Sequence, residues 1–141
     1  MKIFGFLIIL ASYSSISDIQ EVYKGQKEDE VLAVLKMLES KSILTTDEQC
    51  YKAVFWCMKA DYLTWPMDKL AAFKKGYKDL NSIVAKHPTN SEYRYHRYMI
   101  EKFAPSWLMD VNHMAADKAY VKANLASSHP MYSFITKTID K

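Results

Sequence analysis

The chain has 141 residues, half of them apolar and a quarter charged, and its 19 basic and 16 acidic side chains give a formal net charge of +3. The apolar content excludes general disorder, and 3 Gly, 4 Pro and 2 Cys exclude a collagen-like, low-complexity or disulfide-framework protein. The length indicates one domain, and the small charge excess does not by itself indicate a nucleic-acid partner.

The first residues have the pattern of a secretory signal peptide. Lys2 precedes an apolar run over residues 3–11, and small polar residues follow up to a cleavage site placed after Ser14. The run is shorter than the ~20 residues that a membrane-spanning helix needs. We therefore predict a signal peptide at 1–14, a single helical domain at 15–141, and export to the periplasm or the extracellular space without a stable membrane anchor. An apolar first core helix is the alternative interpretation.

Two short helices are predicted next. Ser17 or Asp18 is the expected N-cap of the first, and Gly25 with the polar residues after it allows this helix to end. An apolar stripe with spacings of three and four then predicts a second helix that ends near Ser40. The stripe is formed by Val31, Val34, Leu35 and Leu38.

A helix over about 46–63 is predicted to form the centre of the domain. Two threonines at its start offer an N-cap, followed by acidic residues in the first turn. The helix is apolar almost all round, so neighbouring helices must cover most of its sides. Only a narrow polar strip remains, and Trp56 lies on it between Lys52 and Lys59.

Two cysteines lie within this predicted helix. Cys50 and Cys57 are seven residues apart, which on a helix separates their Cα atoms by about 10.5 Å. A disulfide tolerates at most ~7 Å. We therefore expect two buried, unpaired thiols, and pairing between two chains is the alternative.

The next predicted helix begins at Pro66, because proline suits the first turn of a helix, and it ends before His87 and Pro88. Its apolar residues show the strongest periodicity in the chain. Gly76 lies inside this helix at a cost of ~1 kcal/mol relative to alanine, and it predicts a position where another helix crosses closely. The periodic residues are Leu70, Phe73, Tyr77, Leu80 and Val84.

Thr89 and Glu92 match a capping box, in which the hydroxyl and the carboxylate each accept a backbone N–H. They predict a helix from about 90 to 103 that ends before Pro105. Its expected inward residues are Tyr95, Met99 and Phe103, and its expected outward pair is Arg97 and Glu101.

The pattern continues with a long helix over about 108–126 and a short last helix after Pro130. Short connections favour antiparallel packing of consecutive helices. The predicted fold is therefore all-α, with about seven helices in antiparallel hairpins.

Residues 73–80 and 87–93 resemble tetratricopeptide repeats. In that family a helix ends in a turn with proline and asparagine, as at Pro88 and Asn90, and the next helix opens with an acidic and an aromatic residue. The resemblance implies a tetratricopeptide-like helical fold, as a right-handed stack or a compact bundle.

The whole chain after the predicted signal peptide also resembles a group of small exported bacterial helical proteins without an assigned activity. The stretches that carry this resemblance are residues 51–53 with 58–60, residues 90–97, and residues 104–108 leading to 117–118. It implies the same helical fold and no particular chemistry.

The leading functional hypothesis is a protein or peptide interaction module without catalysis. Stacked helix pairs form a shallow concave face, and tyrosine and tryptophan are good contact residues. The sequence contains no Gly-rich phosphate loop, Gly-x-Ser-x-Gly elbow or Cys-x-x-Cys motif, and no cofactor or nucleic-acid partner is expected. The predicted binding surface comprises Lys52, Trp56, Lys59, Arg94 and Tyr98.

Two other functions are alternatives. Asp110, His113 and Asp117 have the i, i+3, i+7 spacing that places them on one face of a helix, where carboxylate and imidazole groups can bind a divalent cation or share a proton. This spacing indicates a metal-dependent hydrolase or a metal-binding protein, although no further ligand motif accompanies it. The other alternative is a small-ligand carrier with a pocket lined by tyrosine and tryptophan.

Overall fold

The computed structural model describes residues 15–141, and the predicted signal peptide at 1–14 lies outside the described residues. This part of the chain contains seven α-helices, one 3₁₀ turn and no strand, so the predicted all-α class is confirmed. The helices are α1 (Ile16–Gly25), α2 (Glu28–Ser40), α3 (Thr46–Tyr62), α4 (Pro66–Lys86), α5 (Ser91–Phe103), α6 (Met114–Asn124) and α7 (Tyr132–Thr138), with the 3₁₀ turn at Ser106–Leu108. Within residues 15–141, no helix combines the length and the apolar character that crossing a membrane requires.

Side-chain caps fix the starts of α1 and α3. Ser15 accepts the Asp18 N–H at 3.2 Å and forms a reciprocal capping box with it, so the cap lies before the expected Ser17. Thr45 and Glu48 form the same arrangement at α3. Both boxes satisfy backbone N–H groups that the first helical turn leaves unpaired.

The capping box predicted at the start of α5 is wrong. Asn90, not Thr89, is the N-cap, and its side-chain oxygen accepts the Tyr93 N–H at 3.0 Å. Glu92 points inward, where side chains from three other parts of the chain hold its carboxylate. The Glu92 carboxylate therefore makes hydrogen bonds in the interior and does not cap the start of α5.

Helix α3 lies at the centre, as its all-round apolar character predicts. Its contacts with α1, α2, α4 and α5 cover it on most sides. Near its end, the Ala60 carbonyl accepts a hydrogen bond from Lys69, near the start of α4, at 3.2 Å, so α3 and α4 run antiparallel. The buried residues of α3 include Cys50, Tyr51, Ala53, Val54, Phe55 and Cys57.

Gly76 lies where α4 crosses α3. A Cβ atom at this position would lie 2.5 Å from the Ala53 carbonyl oxygen and 2.7 Å from the Cys57 backbone nitrogen. Both atoms belong to the backbone of α3 and cannot move aside without shifting the helix. The predicted close crossing is confirmed, and only a residue without a side chain fits there.

Helices α5 and α6 form a second antiparallel pair. Arg97 bonds to Asp117, and the Tyr120 hydroxyl, further along α6, donates to the Thr89 carbonyl before α5 at 3.2 Å. Helix α7 then packs against α5, with the Tyr98 hydroxyl donating to the Ile139 carbonyl at 3.2 Å.

The predicted inward and outward faces of α5 are partly wrong. Arg97 and Glu101, expected outside, are buried, and Phe103, expected inside, is 75% exposed. Helix α6 and the segment before it cover the side of α5 that the sequence pattern assigns to solvent. Asp117 from α6 pairs with Arg97, and His113 from the preceding segment contacts Glu101. A buried charge is tolerated when it is paired and hydrogen-bonded.

The long helix predicted over 108–126 is also wrong, because α6 begins only at Met114. The Glu101 carboxylate accepts the His113 N–H at 2.8 Å, and the Asn112 side chain accepts the Met114 N–H at 2.9 Å. These side chains take N–H groups that a continuous helix would bond to its own carbonyls. Residues 109–113 therefore form an irregular segment.

Both cysteines are buried and unpaired, as predicted. The Cys57 thiol donates to the Phe73 carbonyl at 3.8 Å. Burial raises the pKa of each thiol well above its usual value, so both groups are unreactive in the folded chain.

Candidate functional site

An apolar groove with a volume of about 870 Å³ lies between the α3–α4 pair on one side and α1, α5 and α7 on the other. Its lining residues range from buried ones, such as Tyr23, Phe73 and Tyr95, to the exposed Phe103 and Trp107. Most of its lining is carbon, and we call it the apolar groove. The sequence analysis did not locate it, because it arises between helices that are distant along the chain.

Two large exposed aromatic side chains line the apolar groove. Phe103 and Trp107 are 75% and 76% exposed. Trp65 and Met67, which precede and follow the lining residue Pro66 in sequence, are 71% and 73% exposed but do not line the groove. Exposed aromatic side chains along a groove mark binding sites more often than single exposed apolar residues do.

Few charged groups accompany the apolar groove. Lys69 and Asp61 line it; the Lys69 ammonium group donates to the Ala60 carbonyl. On the α5 side, the Lys102 nitrogen lies 5.7 Å from the centre of the Phe103 ring. The lining itself therefore carries one lysine and one aspartate, and a second lysine lies beside the lining residue Phe103.

One wall of the apolar groove is formed by the irregular chain between α5 and α6. Pro105, Trp107 and Leu108 belong to it. Its far end is attached to α5 through Glu101, whose buried carboxylate accepts hydrogen bonds from the His113 backbone and lies 2.5 Å from its Nδ1. The Tyr77 hydroxyl donates to the same carboxylate at 2.6 Å. The Glu101 carboxylate therefore has three polar contacts, from two residues.

Three of the five predicted surface residues lie together on α3. Trp56 is half-buried, and its indole N–H is buried without a hydrogen-bond partner. The Lys59 nitrogen lies 4.5 Å from the centre of its ring, and Lys75 from α4 lies 5.4 Å from it. Lys52 lines a separate cleft of about 210 Å³. None of these three residues lines the apolar groove.

The other two predicted surface residues are engaged inside the molecule. The Arg94 guanidinium donates to Asp117 at 2.9 Å and lies 4.2 Å from the centre of the Tyr120 ring. Tyr98 is 6% exposed, and its hydroxyl donates to the carbonyl of Ile139, the residue after α7. A binding role for the predicted set stays a prediction, although its members do not form one continuous surface.

The three residues of the alternative metal-binding hypothesis are separated. Asp110 is exposed before α6, and His113 contacts Glu101. Asp117 is fully buried and accepts two hydrogen bonds from Arg97, at 2.7 and 2.9 Å. Among residues 15–141, no three His, Cys, Asp or Glu side chains are grouped closely enough to hold a metal ion.

A second buried polar cluster surrounds Glu92, and sequence reasoning missed it. Its carboxylate accepts a hydrogen bond from Gln20 at 3.2 Å and one from the Tyr51 hydroxyl, and His129 lies 3.2 Å from its other oxygen. Nε2 of His96, which is fully buried, lies 3.5 Å away, too far for a good hydrogen bond, so its effect is electrostatic.

The environment of Glu92 keeps it ionised. Burial alone would raise the pKa of its carboxyl, but His96, the Tyr51 hydroxyl and His129 together lower that pKa to about 2. The His96 ring is enclosed edge-on by Tyr23, Tyr51 and Tyr95. Glu92 and His96 are therefore buried, and their contacts connect several helices. Neither group is presented at the surface for a reaction.

No family model, curated protein or solved structure matches this chain.

Proposed function

We propose that this chain is an exported, non-catalytic interaction module that binds an apolar segment of a protein or peptide in the apolar groove. The single observation that carries the proposal is the apolar lining of this groove together with two exposed aromatic residues that belong to it, Phe103 and Trp107. A partner that covers them gains the free energy of removing their surface from water, about 25 cal/mol per Å².

The groove's shape favours a helical partner segment. A groove between helices commonly accepts the apolar face of an amphipathic helix, with side chains at i, i+3, i+4 and i+7. Aromatic residues at the rim are typical contact residues of protein interfaces. The two antiparallel pairs, α3–α4 and α5–α6, also support the tetratricopeptide-like arrangement that we propose for the fold.

Charge further restricts the partner. Lys69 and Asp61 line the groove, and Lys102 lies beside the lining residue Phe103, with its nitrogen 5.7 Å from the ring centre. This positive balance favours a segment that carries acidic side chains beside its apolar face. Such charge pairs contribute mainly to the specificity and the rate of association.

A small-ligand carrier is the second candidate, because about 870 Å³ lies within the range of about 300–1,000 Å³ that small-molecule sites occupy. A ligand enclosed in the groove would leave much of Phe103 and Trp107 in water, since these lining residues are 75% and 76% exposed. A peptide can cover them as well and is therefore preferred. The metal-dependent alternative has no comparable support, because the Asp117 carboxylate forms an ion pair with Arg97.

The proposal is tested with a fluorescent peptide of about 14 residues, with leucines on one helix face and glutamates beside it. We expect saturable binding by fluorescence anisotropy, and no binding of a peptide with the same composition and scattered leucines. Displacement of a fluorescent fatty acid by palmitate, without peptide binding, would support the small-ligand carrier instead.

Variants connect binding to the groove. We expect Phe103→Ser with Trp107→Ser to weaken peptide binding by about tenfold or more. Ile43→Ser is the matched control, because Ile43 is 83% exposed but does not line the groove. Equal losses in both variants would contradict the proposal.

Export has its own test. Expression with a carboxyl-terminal tag, followed by fractionation and mass spectrometry, should recover from the periplasm or the medium a protein that begins near Ser15. Recovery of full-length chain in the cytosol would contradict it.

A further inference from the structure

We infer that Glu101 is a positioning residue for the apolar groove: its buried carboxylate holds His113 and thereby closes residues 104–113 into a loop that forms one wall. We call residues 104–113 the wall loop. The inference rests on the proposed function, because it concerns the same groove, but the closure of the loop can be measured separately.

Both ends of the wall loop are attached to the last turns of α5. At its start, the Ala104 N–H donates to the Ile100 carbonyl at 3.0 Å. At its end, His113 contacts Glu101 through its backbone N–H at 2.8 Å and through Nδ1 at 2.5 Å. The chain leaves α5 and returns to it one residue further along, so the loop is closed by these contacts.

Little else holds the wall loop against the rest of the molecule. Its other backbone hydrogen bonds are local, such as Leu108 N–H to the Pro105 carbonyl at 3.0 Å. No residue from 104 to 112 is buried, and Leu108 and Met109 are only half-buried. Segments with few buried apolar contacts open at low free-energy cost. The attachment to Glu101 therefore decides the position of the loop.

Glu101 is itself held rigidly, which a positioning residue requires. Its side chain is buried, and the Tyr77 hydroxyl from α4 donates to it at 2.6 Å. Hydrogen bonds to an ionised carboxylate are about twice as strong as those between neutral groups. Nδ1 of His113 carries a proton both in one neutral tautomer and in the charged ring, so this contact does not require a charged histidine.

The consequence for the groove is geometric. Pro105, Trp107 and Leu108 lie in the closed part of the wall loop and line the groove. Release of the loop from Glu101 moves this wall away from α4 and α7. An apolar partner segment then loses one of the surfaces that enclose it.

The test measures amide hydrogen exchange by mass spectrometry in the full chain and in Glu101→Gln and His113→Ala. We expect exchange of the hydrogen-bonded amides of the wall loop, those of Leu108, Met109 and His113, to rise by about tenfold in both variants, with α3 unchanged. Asp110→Asn, an exposed acid of the same loop, is the matched control and should leave exchange unchanged. His113→Ala removes a side chain that is partly exposed, so it tests the inference even if Glu101→Gln does not fold.

Peptide binding in the same variants gives the second readout. We expect the glutamate-flanked peptide to bind at least about threefold more weakly to His113→Ala than to the Asp110→Asn control. Unchanged exchange of the wall loop in folded His113→Ala, or a released loop with unchanged peptide binding, would overturn the inference. A released loop in a protein whose unaltered form binds no peptide would leave the closure by Glu101 in place and contradict the proposed function alone.

Discussion

Glycine at position 76 allows α4 to lie directly on the backbone of α3. The Cβ of any other residue would come within 2.5 Å of the Ala53 carbonyl oxygen and 2.8 Å of the Cys57 Sγ. Separating the helices to avoid this contact would loosen the centre of the core, where packing density is high. A helical glycine thus contributes more through close packing than it costs through helix propensity.

We expect Gly76→Ala to lower the free energy of unfolding by about 1–3 kcal/mol, because it overpacks the crossing. Urea denaturation followed by circular dichroism measures this. Gly25→Ala is the control, since a Cβ there would meet only the Glu30 carboxylate at an ordinary 3.9 Å. Equal stability of the two variants would show that the α3–α4 crossing can accommodate a methyl group at position 76.

Glu92 makes stability depend on pH. Its folded-state pKa of about 2 lies below the ordinary 4.5, so its ionised form stabilises the fold at pH values above 4.5. As pH falls from 4.5 towards 2, the unfolded state binds a proton first and this stabilisation is lost.

We therefore expect Glu92→Gln to be less stable than the unaltered chain near neutral pH, with a difference that shrinks between pH 4.5 and 2. Urea denaturation at a series of pH values checks this. Glu39→Gln, an exposed acid of α2, serves as the comparison. A difference that stays constant over the window would argue against an ionised, stabilising Glu92.

At the scale of elements, α5 is the helix whose environment was hardest to predict. Arg97 and Glu101 have the spacing of a solvated surface pair, and only the position of α6 and its preceding segment reveals that both are buried. Glu92, likewise, has the spacing of a capping box. The local sequence allows these side chains to be either at the surface or buried. The packing of distant helices against α5 determines which of the two occurs. In α3 and α4 the apolar periodicity leaves no such choice, and both helices were predicted closely.

Asp117 joins α5 to α6 and should be the most sensitive charge in the molecule. We expect Asp117→Ala to lower the free energy of unfolding by about 3–5 kcal/mol, because it leaves the buried Arg97 without a charged partner and with only the hydrogen bond to Asn81. Thermal unfolding compared with Asp110→Ala, an exposed acid, measures the difference. A loss no larger than that of Asp110→Ala would mean that water reaches the Arg97 guanidinium.

At the scale of the whole molecule, the all-α class, the central helix and the unpaired cysteines followed from periodicity and helix geometry. The apolar groove did not, since helices that are far apart in sequence form it and Phe103 was assigned to the interior. The predicted metal set depended on a helix over 108–126, and the buried Glu101 interrupts that helix. Sequence periodicity describes one helix at a time, and it therefore predicts a core better than a site between helices.

The Glu92 cluster joins α1, α3, α5 and the segment before α7, so we expect one cooperative unfolding transition. Far-ultraviolet circular dichroism and tryptophan fluorescence should report the same midpoint in urea. An earlier transition in fluorescence alone would show that the regions around the tryptophans unfold independently of the cluster.

The two sealed thiols of α3 have a consequence for the chain's chemistry in an oxidising environment. Because both cysteines are buried and neither sulfur is bonded to another, the fold needs neither an oxidant to form nor an isomerase to correct wrong cross-links. The native state should consequently tolerate a reductant such as dithiothreitol with no change in melting temperature. A shift in that temperature on reduction would show that the sulfurs had formed bonds between chains.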